Sequence, residues 1–197
     1  MNTPNKLTMA RIIATPVFMA TMIFDFKYHY LVSLILFIAA SLTDMIDGKM
    51  ARKYNLITDF GKFLDPLADK MLTTAAYLGF ICMYAKDTAI CLQITIITFI
   101  VLFREFTVSS IRLVVVSSGG KVIAANMWGK CKTVSQMAGI IFALFAYTLI
   151  GDFGISGVFK SVCDIVICSL FWISAVLCII SGVIYLLDSK DYINPSK

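Results

Sequence analysis

Asp44, Asp47, Asp65 and Asp69 are the residues of this 197-residue chain whose type and spacing point most directly to chemistry. On a helix, positions three and four apart share a face, so Asp44, Asp47, Gly48 and Ala51 form one stripe, and Gly61, Asp65 and Asp69 form a second. Small residues in each stripe leave room for a bulky ligand and let backbones approach. Facing one another across a hairpin, the stripes would gather four carboxylates, and two divalent cations would offset that charge. No His or Cys stands near them, so the all-oxygen set suits Mg2+ or Mn2+. Such a pair of ions is a device for phosphoryl transfer, clamping the attacking and leaving oxygens. Arg52, one turn beyond Gly48, adds positive charge against a phosphate. Two plainer readings compete. Asp65 followed by Pro66 also fits an ordinary helix start, with the carboxylate at the cap and proline at the first helical position. Buried aspartates also serve cation transporters as an ion path, although the chain shows no internal duplication of the kind transporters carry.

The elements that must position these acids belong to a membrane protein. Hydrophobic residues make up 59% of the chain and charged residues 15%, and the mean hydropathy is +0.87; soluble domains carry about 45 to 50% and about 25%. The length allows one domain over residues 1–197, and the start carries no cleavable-signal pattern. The net charge of +5 goes with anionic lipid partners and not with a nucleic-acid footprint, because no basic and aromatic surface module is present. Of the six cysteines, five lie in or beside apolar runs and no pair has C-x-x-C spacing, so they read as buried thiols.

Six transmembrane helices fit the apolar runs, preceded by a short N-terminal interfacial segment, Asn2 to Arg11, in which Thr8 is placed to cap the first span. The spans run over about Ile12–Phe24, Tyr30–Lys53, Phe60–Tyr84, Thr88–Val116, Met127–Ile150 and Ser161–Leu187. The second is apolar only to Leu42, so its helix must continue through Asp44 and Asp47, about 20 Å from its outer end at 1.5 Å per residue. Lys49, Arg52, Lys53, Lys62, Arg112, Lys121, Lys130 and Lys132 flank one side of the spans, against Lys27, Lys86 and Lys160 on the other. The positive-inside rule then puts both termini and the aspartates in the cytoplasmic half.

The string D-x-x-D-G-x-x-A-R, eight residues, then G-x-x-x-D-x-x-x-D is complete here as Asp44, Asp47, Gly48, Ala51, Arg52, Gly61, Asp65 and Asp69. It resembles the signature of the CDP-alcohol phosphatidyltransferases, and the six-span layout extends the resemblance over most of the chain. The resemblance implies an enzyme in which an alcohol displaces CMP from a CDP-linked lipid. It implies that Asp44, Asp47 and Asp65 bind metal, that Asp69 stands near the metals and acts as general base, and that Asn5, Asp44, Gly48, Ala51, Arg52 and Gly61 accommodate the CDP-lipid. Homodimers are usual in the family.

The acceptor is to be sought among Arg104, Glu105, Arg112, Lys130 and Lys132, where a cradle for an anionic alcohol competes with headgroup anchoring and with a plain Arg104–Glu105 ion pair. The segments PNKLTMARI, REFTVSSIR and WGKCKTVSQ resemble those of bacterial phosphatidylglycerophosphate synthases. That branch implies CDP-diacylglycerol as donor, sn-glycerol 3-phosphate as acceptor, its phosphate held by Arg112, Lys130 and Lys132, and a place in the bacterial cytoplasmic membrane. Inositol phosphate, serine and phosphatidylglycerol are the alternative acceptors within the family.

Overall fold

A computed structural model describes residues 3–53, 59–117 and 127–190 of the chain. Among these residues the protein is all-helical: α1 (Thr3–Ile23), α2 (His29–Lys53), α3 (Asp59–Met83), α4 (Thr88–Ser117), α5 (Met127–Tyr147) and α6 (Val158–Asp188), with one turn of π-helix, Thr148–Asp152, closing α5. Four of them are long and apolar enough to cross a membrane, over Asn5–Ile23, Thr88–Val115, Met127–Asp152 and Val158–Lys190, and His29–Asp44 is a shorter apolar stretch of α2.

The N-terminal segment differs from the sequence expectation. Thr8 does not cap the first span, because α1 runs unbroken from Thr3 through Arg11 into it. Asn5, Thr8 and Arg11 of that segment instead continue one buried face with Thr15, Phe18 and Met22, at three- and four-residue steps. Pro16 lies inside this helix, where membrane helices tolerate it. Asp65 and Pro66 likewise do not begin a helix, since α3 starts at Asp59.

Among the described residues α1 packs against both α2 and α3, whereas α2 and α3 touch each other only slightly. The expected α2–α3 hairpin therefore has α1 as its wedge. Gly79 on α3 faces Met22 of α1 so closely that an added Cβ would meet its sulfur. The wider core joins these helices to α4, α5 and α6 through Phe37, Phe80, Ile97, Leu144 and Phe171, with Tyr77 and Phe80 5.2 and 5.4 Å from the Phe171 ring. The outer surface is apolar as well. Phe99, Phe103, Phe106 and Leu113 form an exposed stripe along α4, each more than 60% exposed, which suits hydrocarbon and not water.

Short connections fix the alternation of the helices. Residues 24–28 join α1 to α2, with Tyr28 left-handed at φ 64°; residues 84–87 join α3 to α4; and Gly154 and Gly157, at φ 74° and 79°, turn the chain into α6. Asp152 accepts a hydrogen bond from the Leu31 backbone N–H at 2.8 Å, tying the π-turn to the first turn of α2. One end of the bundle consequently collects the start of α1, the end of α2, the start of α3, the end of α4, the start of α5 and the end of α6. Of the cysteines, Cys163 and Cys178 are buried but Cys82 and Cys131 are exposed, and all six are free thiols.

Candidate active site

Asp44 and Asp69 lie within electrostatic reach of one another at that end. Asp44, on α2, is ion-paired with Arg11 of α1; the Arg11 side chain is 1% exposed while that of Asp44 is 39% exposed. Two oxygens give a carboxylate about four acceptor positions, so the pair leaves Asp44 open to a further cation. Asp69, on α3, lies within electrostatic reach of Asp44, Arg11, Glu105 and Lys132, which come from four other helices. Asp47, Gly48, Ala51 and Arg52 lie on α2, and Gly61 and Asp65 on α3; their side chains fall outside the described residues. Among the described residues no three potential metal ligands gather. The donors that are described are carboxylates from two helices, which is the oxygen-only chemistry of a hard divalent cation.

Beside Asp69 stands a second charged group. Glu105 of α4 is contacted by Lys132 of α5, by Arg104 of its own helix at 3.3 Å and by Lys70 of α3 at 3.8 Å. Arg104 also donates to Ser181 of α6 at 2.7 Å. Gly182 makes that reach possible: a Cβ there would sit 3.0 Å from Arg104 Cγ. Lys70 donates to Ser109 and, at 3.4 Å, to the Glu105 carbonyl. Lys132 is 7% exposed. Three cations thus face one carboxylate. Donors remain to spare, because Arg104 Nε is buried without a hydrogen-bond partner, as is the Tyr185 hydroxyl, one turn along α6 from Ser181.

The matches to known proteins bear on the same residues. The chain matches the CDP-alcohol phosphatidyltransferase family over residues 1–180. It belongs to that family. At 44% identity over 151 residues, covering 71% of this chain and 74% of the relative, it is similar to a CDP-diacylglycerol–glycerol-3-phosphate 3-phosphatidyltransferase of Bacillus subtilis. A protein of the same name from Rickettsia bellii is 37% identical over 195 residues, 97% of each chain. A probable phosphatidylglycerophosphate synthase of Mycobacterium tuberculosis is 34% identical over 160 residues, 80% of this chain and 71% of the relative.

Within this CDP-alcohol phosphatidyltransferase, the sequence-derived candidates divide. Asp44 and Asp69 lie within electrostatic reach of each other, and Asn5 is buried on the α1 face that carries Arg11. Lys132 joins the Glu105 group, but Arg112 and Lys130 are exposed and make no ion pair among the described residues. Arg112 does lie within electrostatic reach of Lys70. The pairing of Arg104 with Glu105 is present, as one limb of the larger cluster. Arg11, Lys70 and Ser181 are absent from the sequence candidates. Arg11 carried a legible signal, since it is a charge directly adjoining an apolar run, Ile12–Phe24, and needs a partner there. Lys70 carried none beyond its place next to Asp69.

Proposed function

We propose that this enzyme transfers the phosphatidyl group of CDP-diacylglycerol to sn-glycerol 3-phosphate, giving phosphatidylglycerophosphate and CMP. The observation that carries the choice of acceptor is the Glu105 group. With Asp69 given over to the metals, Lys70, Arg104 and Lys132 against the Glu105 carboxylate leave a surplus of two positive charges, and buried charge without compensation costs several kcal/mol per ion. A phosphate dianion matches that surplus and the spare donors around it, whereas a neutral alcohol or zwitterionic serine does not. The names of the Bacillus and Rickettsia relatives support the same acceptor.

Asp69 adjoins this cradle on the same turn of α3 as Lys70. It is the base that takes the proton from the free primary hydroxyl of the acceptor. The oxygen so exposed attacks the lipid-linked phosphorus, the bond from that phosphorus to the CMP oxygen breaks, and CMP leaves with the electron pair. Direct displacement is favoured because no Cys, Ser or His of the motif stands ready as a covalent nucleophile. Asp44, Asp47, Asp65 and Asp69 would hold two divalent cations, Mg2+ or Mn2+, whose contribution when bound is to neutralise the pyrophosphate and the charge developing on CMP. Arg11 holds Asp44 in place, and Asn5, Gly48, Ala51, Arg52 and Gly61 make room for the nucleotide. Arg112 and Lys130, exposed at the rim, draw the anionic acceptor in.

All six helices cross the bacterial cytoplasmic membrane in this reading. The motif end and both termini face the cytoplasm because the basic residues lie there, the lipid tails lie along the exposed apolar faces, and the enzyme works as a homodimer. Purified protein given CDP-diacylglycerol and a panel of alcohols tests the assignment through CMP release. Turnover is expected with glycerol 3-phosphate; turnover with inositol phosphate, serine or phosphatidylglycerol in its place would overturn the acceptor, and no CMP release with any alcohol would overturn the reaction.

A further inference from the structure

Lys132 was expected to be available to an acceptor, yet its ammonium is already engaged by Glu105. The same carboxylate holds Arg104 and Lys70, so Glu105 is the anion in direct contact with three converging cations drawn from α3, α4 and α5, with Asp69 within electrostatic reach. The Glu105 side chain is 14% exposed and that of Lys132 8%, with Lys70 more open at 27%, so the arrangement is partly shielded from water and its charges are less screened than at the surface. Two carboxylate oxygens cannot serve all these donors: Oε1 takes Lys132 and Arg104, Oε2 takes Lys70 at the longest distance, and Arg104 Nε is left over.

We propose that Glu105 is a resident stand-in for the acceptor's phosphate, holding Lys70, Arg104 and Lys132 converged in the empty enzyme and yielding them when a dianion enters. This rests on the assignment of the Glu105 group as the acceptor cradle. A flexible cradle of three cations would otherwise have to be assembled against their mutual repulsion at each turnover; an internal anion assembles it beforehand. The same carboxylate makes the cradle selective. A dianion with three acceptor oxygens outcompetes one carboxylate for these donors, while a monoanion gains no more from the cations than Glu105 already does. Glu105 is thus a specificity-determining residue that lowers affinity for every anion in order to reject the weakly charged ones.

The sign of one effect separates this from a structural ion pair. Binding of inorganic phosphate to the full-length protein in detergent, without CDP-lipid, is measured by calorimetry for wild type, Glu105→Gln and Lys132→Met. Removing the competing anion in Glu105→Gln is expected to tighten phosphate about tenfold or more and to narrow its preference over the monoanion dimethyl phosphate, while Lys132→Met weakens phosphate. Unchanged or weaker phosphate binding by folded Glu105→Gln overturns the proposal. If that variant does not fold, Glu105→Asp, with a shorter reach toward Lys132, is expected to tighten phosphate by a smaller factor, and an unchanged affinity there overturns it equally. Competition of inorganic phosphate with glycerol 3-phosphate in CMP release is read separately. Absence of competition in wild type would count against the acceptor assignment itself, whatever the sign seen in Glu105→Gln.

Discussion

The two ends of the bundle each bury a carboxylate among donors from several helices, and they balance it differently. At the end away from the motif, Asp164 of α6 accepts from the Tyr84 hydroxyl at 2.6 Å, the Tyr147 hydroxyl at 2.9 Å and Lys160 Nζ at 3.0 Å. One cation meets one anion, neutral hydroxyls fill the remaining positions, and α3, α5 and α6 are pinned together. At the motif end, Glu105 faces Lys70, Arg104 and Lys132, with Asp69 and the Arg11–Asp44 pair alongside. The first cluster is complete in itself. The second sets four cations, Arg11, Lys70, Arg104 and Lys132, against three described carboxylates, Asp44, Asp69 and Glu105. In a bundle whose interior is otherwise apolar, the difference between a balanced and an unbalanced cluster separates a fastening from a site.

Substitutions at the two ends should therefore fail in different ways. Asp69→Asn gives the largest effect: kcat should fall by about 10²- to 10⁴-fold, the usual contribution of a general base, while binding of a CDP-lipid analogue, followed by equilibrium titration, stays near wild type. Full turnover by this variant would remove Asp69 from its role. Arg11→Met should lower kcat/KM by about 10- to 100-fold, as loss of a residue that orients a ligand carboxylate generally does, with the helix content unchanged by circular dichroism. At the opposite end, Tyr84→Phe should cost about 1 kcal/mol of stability, seen as a lower melting temperature, and leave the KM for glycerol 3-phosphate where it was. A changed KM would erase the distinction between the ends. Lys130→Ala, an exposed charge, should raise that KM only a few-fold and more at low salt than at high salt.

Much of the architecture was legible because the signals are local. Apolar runs broken at Asp25–His29, Ala85–Asp87 and Gly151–Lys160 locate the helices to within a few residues, and the spacing from Asp44 to Asp69 identifies the family whose match covers residues 1–180. The start of α1 was misread because Asn5 and Thr8 look like interface residues by type; only their three- and four-residue steps with Arg11, Thr15 and Phe18 reveal a buried polar face. The tertiary pairs were not legible. Arg11 reaches Asp44 across 33 positions and Lys70 reaches the Glu105 backbone across 35, contacts set by the packing of α1 on α2 and of α3 on α4. The pairing of Lys132 with Glu105 was likewise not legible, since nothing in its own segment, WGKCKTVSQ, points to Glu105.

The surplus charge at the motif end is tested most directly by offering the enzyme the same alcohol with and without its phosphate. The kcat/KM for glycerol 3-phosphate should exceed that for glycerol by about 10⁴-fold in wild type, because glycerol leaves the cations and buried donors unmatched, and the ratio should shrink sharply in Lys132→Met. Comparable rates with glycerol and glycerol 3-phosphate in wild type would contradict the reading of the Glu105 group as the acceptor cradle.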